Sequence, residues 1–383
     1  MLSAALYFFL VGLALSASLH AQTGDASRRG TPSRPSSPAA ASAAPAKTAV
    51  SGPAIAGRKF GKIDYVRLAD VAARLGLKAT WLERGRRIAL TGPSARAEIE
   101  NDTRDITVNG TRVFLGDPVL DAGGEFYVSR IDFERCLAPM LRPGYGTSAQ
   151  PASKTIVLDP GHGGKDNGTS RNEKTFALDV AKRAKKILET AGYRVLLTRE
   201  DDRFLELGER SAFANAHRAG LFVSIHFNAV PRDTRTSGVE VYTFAPKNQH
   251  STGWWSLSAK SDPHLETSDM PVNRFDHWST ALAHAIHRRF VTDLKSFDRG
   301  KKLARLGVLR QLDCPGVLVE CGFLTSNVEA LKIATSAHRQ KLAEAIAAGI
   351  RDYAAHGAAA RGKASAASSK SSRTSSKLPR SVQ

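Results

Sequence analysis

From residue 154 onward the chain alternates between two textures. Short, nearly continuous apolar runs, TIVLD, YRVLLT, LFVSIHF, GVEVYTF and GVLVEC, are rich in β-branched residues and bounded by polar turns. Strands buried on both faces read this way. Between most of them lie stretches of helical period. KTFALDVAKRAKKILETAG carries apolar residues at 176, 180, 184, 187 and 188 and stops at Gly192, and HWSTALAHAIHRRFVTDL and HRQKLAEAIAAGIRDYAAH are comparable. Strands alternating with helices predict an α/β fold, an open, mostly parallel βαβ sheet flanked by helices. Ligands of such sheets bind beyond the carboxyl ends of the strands.

Residues 61–146 have a different pattern. IDYVRLADVAARLGLKATWLERGRRIALTG predicts a short strand, an amphipathic helix with Leu68, Val71, Ala72 and Leu75 on one face, a C-cap at Gly76, and two strands. Asn109–Gly110 sits between two alternating runs, a hairpin signal. EFYVSRIDFERCLAPML then repeats the strand-then-helix unit, and Tyr65-Val66-Arg67 and Tyr127-Val128-Ser129 look like paired openings. The expectation is a smaller α+β accessory domain ahead of a main domain at 153–356.

Composition adds a boundary at each end. The 383 residues are 42% hydrophobic and 24% charged, which excludes a fully disordered chain. The net charge of +19 is uneven: +5 over residues 1–60, +1 over 61–153, +7 over 154–356 and +6 over 357–383. Residues 22–60 are Ser/Pro/Ala-rich and 357–383 are basic and lack acids, so both are expected to be disordered, a linker and a tail. Solvated basic tails attract any polyanion and do not select nucleic acid. No nucleic-acid motif or basic–aromatic interleaving is present, so a nucleic-acid partner is not expected.

MLSAALYFFLVGLALSASLHA, Met1 to Ala21, reads as a signal peptide cleaved after Ala21, although no Lys or Arg precedes the apolar run. The rival reading is an uncleaved anchor. Either exports the rest of the chain, and no other apolar run is long enough to span a membrane. Cys136, Cys314 and Cys321 have no metal-binding or disulfide spacing and are expected to be buried, free thiols.

The candidate chemistry lies at the strand ends. His162 follows TIVLD within DPGHGG, Glu173 opens the next helix, His226 ends LFVSIHF and Glu320 lies in GVLVECGF. Two imidazoles and one carboxylate suit Zn²⁺ with a position open for water. A second carboxylate beside the metal could move the water's proton. Gly161, Gly163 and Gly164 allow a sharp turn around such a site. A carboxylate within an apolar run is costly unless it is paired or functional, which singles out Glu320.

TIVLDPGHGG, Glu173-Lys174, LLTRE, LGERSAFANAH, LFVSIHFNA, SGVEVYTF and GVLVECGFLTSN follow one another as in the zinc-dependent N-acetylmuramoyl-L-alanine amidases, the Amidase_3 family, which residues 154–353 resemble. The resemblance implies that His162, Glu173 and His226 bind zinc and that Glu320 is the catalytic acid/base. It implies cleavage of the amide between N-acetylmuramic acid and L-alanine of the peptidoglycan stem peptide. Asn228, Arg310 and Arg299 are then candidates for the substrate groove, and Arg199 and Arg210 for the scaffold. Residues 61–142 resemble the stalk-type N-terminal domain of copper amine oxidases, a spacer or docking module.

The implied protein is a periplasmic or extracellular, wall-associated monomer, with room for an envelope activator protein and no membrane span once the signal is cleaved. The segment 246–276 exceeds the minimal family core and contains GWWS, so it is expected to gate or shape the groove; Trp254 and Trp255 could stack on sugar faces, although aromatic core packing is the favoured reading for them. The rivals are a zinc peptidase acting on stem peptides and a non-catalytic wall-binding protein.

Overall fold

The computed structural model describes residues 54–146, 150, 153–169, 172–254 and 265–374. The signal-like segment, most of the linker, Trp255 and the last nine residues lie outside these. In the N-terminal part, β1 (Gly57–Phe60), β2 (Ile63–Arg67), α1 (Leu68–Leu75) and β3 (Lys78–Glu83) lead into a meander of β4 (Arg87–Thr91), β5 (Arg96–Glu100), β6 (Asp105–Val108) and β7 (Thr111–Phe114). Next come β8 (Leu120–Asp121), β9 (Phe126–Ser129) and a helical segment in which α2 (Arg130–Asp132) and α3 (Ala138–Leu141) flank a π turn, Phe133–Leu137.

Helix α1 forms because Leu68, Val71, Ala72 and Leu75 share one buried face, and it stops where Gly76 takes φ +70°. Asn109 and Gly110, with φ of +49° and +81°, make the tight turn between β6 and β7. Strand β1 corrects the expected linker boundary, because residues 57–60 pair with β2 in antiparallel register.

The second part contains β10 (Thr155–Pro160), α4 (Glu173–Thr190), β11 (Arg194–Leu197), α5 (Leu207–Ala216), β12 (Leu221–Asn228) and β13 (Val239–Phe244). After these follow α6 (Asp276–Leu294), β14 (Asp298–Ala304), α7 (Gly307–Arg310), β15 (Gly316–Phe323), α8 (Asn327–Ala334) and α9 (Ser336–Thr374). Strands β11, β10, β12 and β15 are mutually parallel, as the alternation implied. Strand β13 then joins β15 antiparallel and β14 parallel. Helices α4, α6 and α9 cover one face, and Val180, Ala184, Leu282, Ile286, Leu342 and Ile346 interlock with the inward side chains of the sheet. The backbone of α9 continues to Thr374.

The two parts share one sheet. A parallel contact of β14 with β7, Lys301 opposite Val113, joins them into eleven strands ordered β11-β10-β12-β15-β13-β14-β7-β6-β5-β4-β3. The overall sheet is therefore mixed, its antiparallel half being the N-terminal meander. Polar contacts reinforce the join: Arg135 meets Asp276 at 2.6 Å, the Arg112 amide donates to Asp298, and Thr280 donates to the Arg135 carbonyl. Cys136, Cys314 and Cys321 are free and buried, as expected. Among the described residues no helix is long and apolar enough to cross a membrane.

Candidate metal and hydrolytic site

Strand β10 ends at Pro160, and the chain then turns through His162 at φ +58°. Left-handed backbone is unfavourable for a non-glycine residue, so something must hold it. Two buried arginines do. Arg199 donates to the carbonyls of Pro160, Gly161, Lys174 and Asp201, and Arg210 donates to those of Pro160, His162 and Leu205. Arg210 is itself fixed by fully buried Asp159 at 2.8 Å, which also accepts from Thr198 and Ser224. Burial would raise the Asp159 pKa, but Arg210 and the two hydroxyls hold it below the ordinary range. Both arginines thus spend their donors on the scaffold. Gly161 is required because a Cβ there would collide with the His226 ring.

The turn delivers His162 against two other residues. His162 Nε2 lies 3.0 Å from Glu173 Oε1, and His226 Nδ1 lies 3.2 Å from each of those atoms. Glu173 is 1% exposed at the start of α4, and its other oxygen accepts from the Thr169 amide and hydroxyl at 2.8 Å. Burial alone would raise its pKa, yet the His162 and His226 hydrogen bonds hold the carboxyl far below the ordinary range. His162 Nδ1 sits 2.8 Å from Asp166 Oδ2, a partner that would keep the proton on Nδ1 if Nε2 gave its lone pair to a metal.

Acceptors converging in this way need a cation or a proton between them. Two imidazole nitrogens and one carboxylate oxygen, all within 4.8 Å, form a group that could hold a divalent metal. The residues present fit such an ion.

Glu320 lies beside this group. On adjacent strands, His226 of β12 is opposite Glu320 of β15, which is opposite Glu240 of β13. Glu320 Oε2 is enclosed and has no hydrogen-bond partner among the described residues. Burial first, and the nearby charges of Glu173 and Glu240 second, push its pKa well above the ordinary carboxylate range.

The other candidates separate. Asn228 donates to Glu240 at 3.3 Å, and Arg299 donates to Glu240 at 2.7 Å, so both belong to the row containing Glu320. Arg310, on α7, instead pairs with Glu266 and contacts Met270 and Phe244. Glu240 and Asp166 carried no sequence assignment. Glu240 sits in SGVEVYTF, an acid within an apolar run, the same signal that marked Glu320. Asp166 offered only its spacing of four from His162.

The family model described as N-acetylmuramoyl-L-alanine amidase, Amidase_3, matches residues 156–352. The chain is 30% identical over 239 residues to amidase AmiC of Neisseria meningitidis serogroup B, an alignment covering 57% of this chain and 57% of that one. It is 31% identical over 239 residues to AmiA of Escherichia coli K12, covering 56% and 82%. An uncharacterized cell wall amidase of Bacillus anthracis is 34% identical over 210 residues, covering 52% and 35%. The chain thus spans only about a third to just over half of the length of two of these relatives. Among solved structures, an N-acetylmuramoyl-L-alanine amidase from Clostridium difficile 630 is 31% identical with a TM-score of 0.43, covering 52% of this chain and 96% of that one. With the family match running from β10 into the packed part of α9, the chain belongs to the N-acetylmuramoyl-L-alanine amidase family Amidase_3.

Proposed function

We propose that this protein is a zinc-dependent peptidoglycan hydrolase that cuts the amide between N-acetylmuramic acid and L-alanine of the stem peptide. The observation that carries this reading is the convergence of His162 Nε2, Glu173 Oε1 and His226 Nδ1 beside an enclosed, unpaired Glu320. His162, Glu173 and His226 would hold the zinc. When bound there, zinc supplies Lewis acidity that polarises a carbonyl and lowers the pKa of water to about 7.

The chain's own residues do the rest. Glu320 accepts the proton of the attacking water and returns it to the departing alanine nitrogen. Its raised pKa makes the ionised form a strong acceptor and the protonated form a competent donor. Asp166 keeps the His162 proton on Nδ1, and Thr169 orients the Glu173 carboxylate. Asn228, Arg299 and Arg310 are assigned to the substrate groove, and the segment 246–276 to shaping it. Deleting 248–270 should change activity on intact sacculi, and unchanged activity refutes that assignment.

The reading places the protein in the periplasm or outside the cell, with residues 1–21 as its export signal and the basic C-terminal end retaining it on anionic envelope material. The test is mass spectrometry of purified peptidoglycan digested with zinc-loaded protein, beside a chelator-treated control. Intact stem peptides with free N-terminal alanine, and uncut glycan, are expected from the loaded protein alone. Peptides shortened at other bonds would indicate a stem peptidase, and no release would indicate a wall-binding protein.

A further inference from the structure

Glu240 is 2% exposed and fully engaged. Its Oε1 accepts from Arg299 Nε at 2.7 Å and Lys302 Nζ at 2.6 Å, and its Oε2 from the Tyr242 hydroxyl at 2.5 Å and Asn228 Nδ2 at 3.3 Å. A carboxylate with four donors has no capacity left for substrate, so its role must pass through the groups it holds. Burying it would be costly if it were unpaired, and two cations more than offset its charge, leaving this cluster at +1.

The surplus charge is presented in a defined way. Arg299 is tied to Glu240 through Nε alone, and its guanidinium carbon lies 5.1 Å from the centre of the Phe323 ring. Its side chain is 29% exposed, and among the described residues its two outer nitrogens make no hydrogen bond. Gly238, at φ +115°, leaves room for the Arg299 stem, which a Cβ there would crowd. A guanidinium pinned by Nε and by stacking on an aromatic face keeps an ordered two-pronged edge, the geometry that matches a carboxylate.

The seat lies along the strands from the hydrolytic row. Phe323 is three residues beyond Glu320 on β15 and is opposite Asn228 on β12. Three residues of strand span about 10 Å, the reach of roughly three residues of extended peptide. We propose that Glu240 is a positioning residue that seats Arg299 on Phe323, so that the guanidinium edge receives a carboxylate on the peptide side of the scissile amide. This deepens the amidase reading and rests on it. The ligand is an acidic residue close behind the alanine, and Lys302 supplies the second cation that keeps the Glu240 site charged in its favour.

The test compares two synthetic muramoyl-peptides that differ only in the carboxylate of the residue following alanine, free in one and amidated in the other. Wild-type enzyme should favour the free acid through KM. Arg299→Gln should erase about ten- to a hundred-fold of that preference, the range for a lost charge-assisted hydrogen bond. Most of the loss should appear in KM of the free acid. Arg299→Lys should restore part of the preference. Glu240→Gln, which frees Arg299, should reduce the preference in the same direction. If Glu240→Gln does not fold, the two Arg299 variants, altering a partly exposed side chain, decide the matter.

Equal wild-type KM for the two substrates, or an Arg299→Gln effect of the same size on both, overturns the carboxylate seat while leaving the amidase reading intact. Wild-type failure to cut either substrate overturns both.

Discussion

Replacing Arg199 by Met tests how the turn that carries His162 is held. The side chain is fully buried, and Met fills much of its volume while removing the bonds at 2.6–3.0 Å to the carbonyls of Gly161, Lys174, Pro160 and Asp201. Pro160 keeps a bond from Arg210, and the Lys174 carbonyl keeps its place in the α4 backbone ladder, but the Gly161 carbonyl is left without a side-chain donor. An orphaned buried carbonyl costs about 1–3 kcal/mol, and the other lost bonds add about 0.5–1.5 kcal/mol each.

Part of this is offset, because burial and the neighbouring Arg210 already push the Arg199 pKa down to about 10. A net loss of about 2–4 kcal/mol follows, a fall in Tm of roughly 4–16 °C for a domain of this size. Thermal melts in chelator isolate this term from metal binding. Zinc affinity, titrated separately, should fall about 10- to 100-fold, as for lost support of a metal ligand. A variant that melts within about a degree of wild type and binds zinc equally well would refute the claim that Arg199 maintains the strained His162 turn.

Other perturbations read different parts of the structure. Gly161→Ala should push the His226 ring off its position and weaken zinc binding at least about ten-fold by calorimetric titration, consistent with a disturbed ligand shell. Asp159, held below its ordinary pKa, stabilises the fold at pH values above its unfolded value near 3.8, and that contribution is lost as pH falls through the folded pKa. The Tm gap between wild type and Asp159→Asn should therefore be large near pH 6 and shrink toward pH 3; a constant gap contradicts the assignment. Because β14 and β7 join the two parts in one sheet, calorimetry of the full chain should give one cooperative transition, and two well-separated transitions would mean that the parts unfold independently.

Much of the candidate site was legible because its residues punctuate strong local patterns. His162 and His226 end apolar runs, Glu320 interrupts one, and Glu173 opens a long amphipathic helix, so each could be placed at the sheet edge from period alone. Glu240 carried the same signal as Glu320, but its two cationic partners, Arg299 and Lys302, come from a strand distant in sequence, and its role emerges only when β13, β14 and β15 are paired.

Strand β14, DRGKKLA, lacks an apolar run because Lys302 and Arg299 are compensated by Glu240. The join between the two parts was equally hidden, since a short bridge between β14 and β7 leaves no periodic trace. Arg310 shows another contact the pattern does not reveal, its pairing with Glu266.

His162, Glu173 and His226 are proposed to form one metal site that excludes Glu320. Measuring bound zinc per chain for wild type, His226→Ala and Glu320→Gln, after chelation and reloading, tests this directly. One zinc is expected in wild type and in Glu320→Gln, with loss of tight binding in His226→Ala. A wild-type protein that takes up no zinc, or a Glu320→Gln variant that loses it, would contradict that three-residue metal site.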